Sequence, residues 1–133
     1  ILSSSNSASD YTVPSGKVLV ITQSSRSLKV GSQVVDHGGN ANMAFFPSGT
    51  IISVDGNHRW VGMLFDPIQG IEPLINPPGP QYIVPNGKSL VITSFITGSL
   101  VSSNALGGVC IYGSGITVTS NGWTGYLIDP TKF

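Results

Sequence analysis

The apolar residues of the chain fall in short runs rather than at helical spacing. Val, Ile, Thr and aromatic residues cluster in these runs, and Pro-Ser-Gly, Pro-Asn-Gly, Asp-Gly and Asn-Gly turns separate them. No window keeps an apolar period of about 3.6 residues, so little helix is expected. The pattern therefore predicts an all-β fold, with strands near 17–24, 26–30, 33–36, 41–46, 50–55, 60–66, 81–84, 88–97, 99–102, 108–112, 115–119 and 123–128.

The chain carries one pattern twice. Residues 11–24, YTVPSGKVLVITQS, match residues 82–95, YIVPNGKSLVITSF, and nine of the paired residues are identical. Two later segments, which end in WVGMLFDP and WTGYLIDP, match in the same way once three residues of the first are looped out. Two diverged copies of one unit are the simplest account of this pattern.

The repeat leads to a definite expectation for the architecture. One copy buries too little apolar surface to be stable alone, so the copies are expected to share one core. Two units of roughly four strands give the strand number of a jelly roll. We therefore expect residues 1–133 to form a single domain, a jelly-roll-like β-sandwich of two pseudo-twofold-related repeats. Its parts are an N-terminal arm at 1–10, repeat one at 11–67, a Pro-rich crossover at 68–81 and repeat two at 82–130.

Comparison of the copies also indicates which side chains face the core. Leu19 and Ile21 recur as Leu90 and Ile92, so these positions are the expected core face. Each copy also has a Trp-x-Gly-x-Leu row with a period of two. In that row, the small glycine is expected to leave room for the indole to lie against the sheet.

One motif resembles a known family. Val-Pro-x-Gly-Lys-x-Leu-x-Ile stands at 13–21 and again at 84–92. It resembles a motif of jelly-roll and cupin-like β-sandwiches in bacterial and phage surface proteins. Metal-dependent cupins carry a His-x-His pair with a following glutamate, whereas this chain has no His-x-His, and its only glutamate, Glu72, lies in the crossover. The resemblance therefore implies the sandwich without cupin metal chemistry, and we expect neither a metal nor a cofactor.

The charge content excludes two classes of partner. Only 9% of residues are charged, with a formal net charge of zero, whereas roughly a quarter is usual. The clustered Lys and Arg of a nucleic-acid binder are missing, as is the basic face that anionic membranes attract. No apolar stretch is long enough to span a bilayer as a helix. We therefore expect no nucleic acid and no membrane insertion.

Catalytic signatures are also missing from the sequence. It has no Gly-x-Ser-x-Gly elbow and no phosphate-binding Gly-x-x-x-x-Gly-Lys-Ser/Thr loop. Asp66 and Asp129 recur in the two copies, but each precedes a proline, and turn capping explains such a carboxylate without catalysis. The chain is thus interpreted as a non-enzyme without catalytic residues.

The first hypothesis for function is a structural subunit. From Ser89 to Ile128 there are forty residues without Asp, Glu, Lys or Arg, although exposed strand edges are normally guarded by charge. A second copy of the chain is a natural cover for such a surface, and a Ser/Thr/Asn/Gly surface in water is the alternative. We therefore predict a homo-oligomer or polymer in an extracellular, cell-surface or virion assembly. Its interface is expected to use an arm that adds to a neighbour's sheet and outward strand positions, namely Ile1, Leu2, Val91, Thr93, Thr117 and Thr119.

The second hypothesis is a carbohydrate-binding module. Polar and titratable residues beside a tryptophan form the kind of cluster that stacks on a sugar and hydrogen-bonds its hydroxyls. The predicted ligand-binding residues are Asp55, Asn57, His58, Arg59 and Trp60, with Asp36 and His37. Trp60 matches Trp123 of the other copy, which favours a core position for its indole. The histidines and aspartates form a metal site only if their loops meet, and solvated loop residues are the favoured interpretation.

Overall fold

The computed structural model describes residues 2–4, 10–24, 28–36, 43–54, 59–76, 81–95, 110–118 and 122–133. These residues form strands and one short final 3-10 helix, and no α-helix, so the all-β prediction is confirmed. The strands of the first half are β1 (Leu2–Ser4), β2 (Tyr11–Thr12), β3 (Val18–Ser24), β4 (Leu28–Val30), β5 (Gln33–Asp36), β6 (Ala44–Phe46), β7 (Ile51–Val54) and β8 (Trp60–Phe65). Those of the second half are β9 (Ile71–Asn76), β10 (Tyr82–Ile83), β11 (Ser89–Phe95), β12 (Cys110–Tyr112), β13 (Thr117–Val118) and β14 (Trp123–Ile128), followed by the 3-10 helix Pro130–Lys132.

The first half is a β-sandwich of two antiparallel four-stranded sheets. Sheet A has the strand order β1-β8-β3-β6, and sheet B has the order β2-β7-β4-β5. Alternation along each strand directs one row of side chains between the sheets. These side chains form a buried cluster. Its members include Leu19, Ile21, Phe46 and Trp60 from sheet A and Leu28, Val35 and Ile52 from sheet B.

The described strands of the second half are arranged in the same order as those of the first half. Sheet C has the order β9-β14-β11-β12, and sheet D consists of β10 and β13. Leu90, Ile92, Trp123 and Leu127 of sheet C form a second buried cluster with Val84 and Val118. The predicted strand at 99–102 lies outside the described residues.

The single shared core expected from the sequence is wrong for the described residues. Most of their buried apolar side chains form two clusters, one in each half, and Val18, Val20 and Val91 are buried outside both. The first half supplies eight strands and two facing sheets by itself, so it can enclose its own core. Strand β9 joins the clusters, since Leu74 packs against the second and its neighbour Ile75 against the first.

The repeated Pro-x-Gly turns have matching hydrogen bonds in the two halves. The N–H of Val13 donates to the carbonyl of Thr50 at 2.9 Å, and the carbonyl of Val13 accepts from Gly49 at 2.9 Å. Val84 makes the equivalent pair of bonds with Ile116 and Gly115, both at 2.9 Å. These bonds fix the turn that precedes the long inner strand of each half. The repeated motif therefore forms the same turn in both halves.

The glycines of the Trp-x-Gly-x-Leu rows are needed for a different reason from the predicted one. A Cβ on Gly62 would lie 2.5 Å from the carbonyl oxygen of Val20, and one on Gly125 would lie 2.0 Å from that of Val91. The neighbouring strand backbone, rather than the indole, therefore takes up the space. A register irregularity lies beside each glycine, at Thr22 in β3 and at the same position of β11.

Three strands were not predicted from the sequence, β1, β2 and β9, and β2 is an edge strand of sheet B. The expected Pro-rich crossover includes β9, which is an edge strand of sheet C. The expected N-terminal arm includes β1, which pairs with β8 of its own chain through Leu2 opposite Gly62. Proline is tolerated in edge strands, so Pro73 is compatible with β9.

Candidate assembly surface

The predicted ligand-binding cluster is only partly described by the structure. Asp55, Asn57, His58 and His37 lie outside the described residues. Asp36 is the last residue of β5, and Arg59 is exposed directly before β8.

Trp60 belongs to the core of the first half, as the sequence comparison favoured. Its side chain is only 4% exposed, and its ring meets that of Tyr11 edge to face at 5.4 Å between centroids. Trp123 and Tyr82 form the matching pair at 5.5 Å. The face of the Trp60 indole is therefore not available for stacking on a sugar. A cavity of about 250 Å3 lies beside it, lined by Gln23, Arg59, Trp60 and Val61.

The predicted interface positions have different surroundings in the structure. Ile1 and Thr119 lie outside the described residues, and Thr117 is exposed on β13. Val91 and Thr93 were expected to be exposed at an interface, but Val91 is only 5% exposed and Thr93 is also buried. They are covered within the chain, because β5 and β6 of the first half pack against β11.

The contact that covers them joins an edge of one half to a face of the other. Strands β5 and β6 are edge strands of sheets B and A, and they pack against the face of sheet C that points away from its core. The N–H of Phe45 donates to Thr124 Oγ1 at 3.2 Å, and the Phe45 ring meets that of Tyr126 edge to face at 5.0 Å. We call this contact the half–half junction.

The corresponding face of sheet A is apolar and partly uncovered. On β8, the row Trp60, Gly62 and Leu64 points into the sandwich, so Val61, Met63 and Phe65 point out of it. Val61 is 41% exposed and Met63 is 45% exposed. We call this surface of β8 and β3 the outer face of sheet A; its β8 side chains are exposed, whereas Val18 and Val20 of β3 are buried. Its signal in the sequence is WVGMLF, a strand without a polar residue, which is typical of burial on both sides.

Among the described residues, strand β12 is an edge strand of sheet C, and it carries no charge. It pairs with β11 on one side through Ile111 opposite Val91. Cys110 and Tyr112 turn inward against the second cluster, whereas Ile111 points outward and is 71% exposed. Charged residues normally protect such an edge, and none is present in this strand.

An apolar cavity adjoins the half–half junction. Its volume is about 160 Å3. Its lining residues come from sheet A, from the segment between β8 and β9, and from sheet C: Val18, Phe45, Phe65, Ile68, Ile71, Pro73 and Tyr126. The phenolic hydroxyl of Tyr126 is the one polar side-chain group that this set of residues contains. The cavity continues the outer face of sheet A through Phe65.

The recurring lysines and aspartates form ion pairs and a cap. Lys17 Nζ lies 2.6 Å from Asp66 Oδ1, and Lys88 Nζ lies 3.9 Å from Glu72 Oε2. Asp129 caps the final 3-10 helix by accepting from the N–H of Thr131 at 3.1 Å and from its hydroxyl at 2.6 Å. These hydrogen bonds lower the pKa of the Asp129 carboxyl below its ordinary value. The predicted capping role of Asp129 is confirmed, whereas Asp66 serves as an ion-pair partner.

Neither a metal-binding group nor a membrane-spanning helix is found among the described residues. They contain no group of three or more His, Cys, Asp and Glu side chains that could hold a metal ion. In the same part of the chain, no helix has the length and apolar character needed to cross a membrane.

Comparison with protein-family models, curated proteins and solved structures found no significant match to this chain.

Proposed function

We propose that this protein is a non-enzymatic structural subunit that self-assembles through its β-sheet surfaces into an extracellular, cell-surface or virion assembly. The observation that carries the proposal is a pair of apolar surfaces among the described residues, the β8 side of the outer face of sheet A and the edge strand β12. Both lack charged residues, and both expose large apolar side chains. Large exposed apolar patches mark interaction sites, and an unguarded strand edge invites a neighbouring chain.

A fold assignment accompanies this proposal. Each half is a jelly roll, and the two halves are repeats of one unit. In support, β1 lies beside β8 and β2 beside β7 in two four-stranded sheets, which is the jelly-roll arrangement. Strand β9 lies beside β14 and β10 beside β13 in the same way. Jelly rolls are common in capsid proteins and lectins, so the assignment suits assembly and also the alternative below.

Light scattering with negative-stain imaging tests the proposed function on freshly purified protein. A ring, a filament or a large discrete oligomer is expected, because two apolar surfaces per chain gain free energy when they are buried, at about 25 cal/mol per Å2. A species of 13.8 kDa at all accessible concentrations would contradict self-assembly.

The second candidate function is a carbohydrate-binding module. It is supported by the cavity of about 250 Å3 beside Trp60 and by Arg59 at its rim, a cation that can hydrogen-bond hydroxyl groups. Since the indole face is buried, recognition has to come from hydrogen bonds to Arg59 and to residues near it in the sequence. A glycan panel tests this function: binding that is lost in Arg59→Ala and His58→Ala supports it, and binding unchanged in both contradicts this location.

A further inference from the structure

We infer that chains join head to tail by repeating, between two chains, the half–half junction that already joins the two halves of one chain. This inference rests on the proposed self-assembly and names its two surfaces. The edge strand β12 of one chain is the donor, and the outer face of sheet A of the next chain is the acceptor. The occupant of each surface is thus a second copy of this chain.

The strand registers identify equivalent positions in sheets A and C. In sheet A, Val20 of β3 lies between Phe45 of β6 and Met63 of β8. In sheet C, Val91 of β11 lies between Ile111 of β12 and Tyr126 of β14. Ile111 therefore occupies the place of Phe45, and Met63 occupies the place of Tyr126.

A further pair follows from the neighbouring glycines. Val61 precedes Gly62 in β8, just as Thr124 precedes Gly125 in β14. Both glycines lie opposite the matching isoleucines of β3 and β11. Val61 is thus the sheet A equivalent of Thr124, which is the residue that accepts the hydrogen bond at the half–half junction.

Within one chain, these equivalent surfaces are covered to different extents. Val91 and its counterpart Val20 are both buried, whereas the strands beside them differ in exposure. The first half uses its edge residue Phe45, and the second half uses the face residues Thr124 and Tyr126. The edge residue of the second half, Ile111, and the face residues of the first half, Val61 and Met63, are all exposed. Each chain therefore has one donor and one acceptor that correspond to a contact already seen in the fold.

The chemistry of the unused surfaces fits a contact between copies. Isoleucine replaces phenylalanine on the donor edge, while valine and methionine replace threonine and tyrosine on the acceptor face. Every replacement at these positions is apolar, so the contact between chains is expected to rest on apolar burial. Met63 is flexible enough to adapt to the smaller isoleucine.

The inferred contact joins two different surfaces. Such a heterologous interface closes into a ring or continues as a filament, depending on the rotation between successive chains. It also makes a prediction that a symmetric face-to-face dimer does not make. A chain with a damaged donor still accepts, and a chain with a damaged acceptor still donates.

The test uses two charge variants and a matched control in the full chain. Ile111→Lys damages the donor and Met63→Lys damages the acceptor, since a lysine buried in an apolar contact must lose its hydration. Ile83→Lys is the control, because Ile83 is an exposed isoleucine on β10, away from both surfaces. Size-exclusion chromatography with light scattering gives the mass of each protein alone and of the equimolar mixture of the two charge variants. Thermal melts establish that each variant is folded, and Ile111→Thr and Met63→Thr replace any variant that is not.

Head-to-tail joining predicts that each charge variant alone has a mass of 13.8 kDa and that the control assembles like the wild type. Their mixture is expected to give a species of twice that mass and nothing larger, because one intact donor meets one intact acceptor. A charge variant that assembles like the wild type overturns the inference, as does a mixture that stays monomeric while the wild type assembles. A wild type that is itself monomeric instead contradicts the proposed function, so the two failures are distinguishable.

Discussion

Replacement of Gly125 by alanine is the most direct test of how closely the strands approach one another. The Cβ of an alanine would lie 2.0 Å from the carbonyl oxygen of Val91 and 2.9 Å from Cα of Ile92, whereas ordinary contact begins at 3.4 Å. These atoms belong to the backbone of β11, so no side chain can rotate away to relieve the clash. Strand β14 has to move away from its central neighbour in sheet C.

The expected cost follows from this displacement. Overpacking a well-packed interior costs roughly 1–3 kcal/mol. Each backbone hydrogen bond between β14 and β11 that is broken lowers the free energy of unfolding by about 0.5–1.5 kcal/mol more. We therefore expect Gly125→Ala to lower the free energy of unfolding by about 3–5 kcal/mol, a large part of the roughly 5–15 kcal/mol that keeps a domain folded. Gly62→Ala is expected to cost less, because its Cβ would lie 2.5 Å from the carbonyl oxygen of Val20.

Equilibrium unfolding in guanidinium chloride measures these differences. The fluorescence of Trp60 and Trp123, which are both buried, reports loss of the two cores. Gly113→Ala is the control, because a Cβ at Gly113 would have no atom within 4 Å and alanine restricts the unfolded chain. It is expected to change stability by less than about 1 kcal/mol. If Gly125→Ala is as stable as Gly113→Ala, the close approach of β14 to β11 is refuted.

Three further predictions concern the half–half junction and the final cap. Phe45→Ala removes the ring that packs against Tyr126, so we expect a loss of about 2–4 kcal/mol in chemical unfolding; no loss would contradict the junction. Thr124→Val leaves the Phe45 N–H without its acceptor, and a drop of about 1–3 kcal/mol is expected in the same assay, whereas Thr124→Ser should retain most of the stability. The pKa of Asp129 is lowered by hydrogen bonds from Thr131, so its carboxylate stabilises the fold at neutral pH, and this contribution is lost as the pH falls through the lowered folded-state value. Asp129→Asn is therefore expected to lower the melting temperature at pH 7, with a difference that shrinks in acid below the ordinary pKa of 3.8; a difference that does not depend on pH would contradict the cap.

Local patterns in the sequence were sufficient to predict most of the described strands. The predicted strands at 33–36 and 123–128 have the observed bounds, and most of the other described strands lie within their predicted ranges. Alternation and turn residues are local signals, so they identify strands well. The three unpredicted strands, β1, β2 and β9, are all edge strands, and β1 and β9 lie in segments rich in serine or proline. Edge strands tolerate such residues, and their local signal is weak for that reason.

The surroundings of individual side chains were harder to predict. Alternation correctly placed Val91 on the face opposite Leu90, but it cannot say whether another part of the chain covers that face. The first half covers it with β5 and β6, so Val91 is buried. Met63 lies on the equivalent face and remains exposed. Val20, the counterpart of Val91, is buried beside it. Which positions of such a face are covered depends on contacts between residues far apart in sequence.

The connection between the two halves has a consequence for how any assembly would respond to dilution. The Phe45–Tyr126 contact is made within one chain, so its effective concentration is set by the connecting segment and does not change with dilution. The same contact between separate chains has no such tether and follows mass action. Dilution should therefore separate whole chains while leaving the contact within each chain intact. Newly made protein would stay dispersed until local crowding raises its concentration, and a growing polymer would have one exposed donor end and one exposed acceptor end.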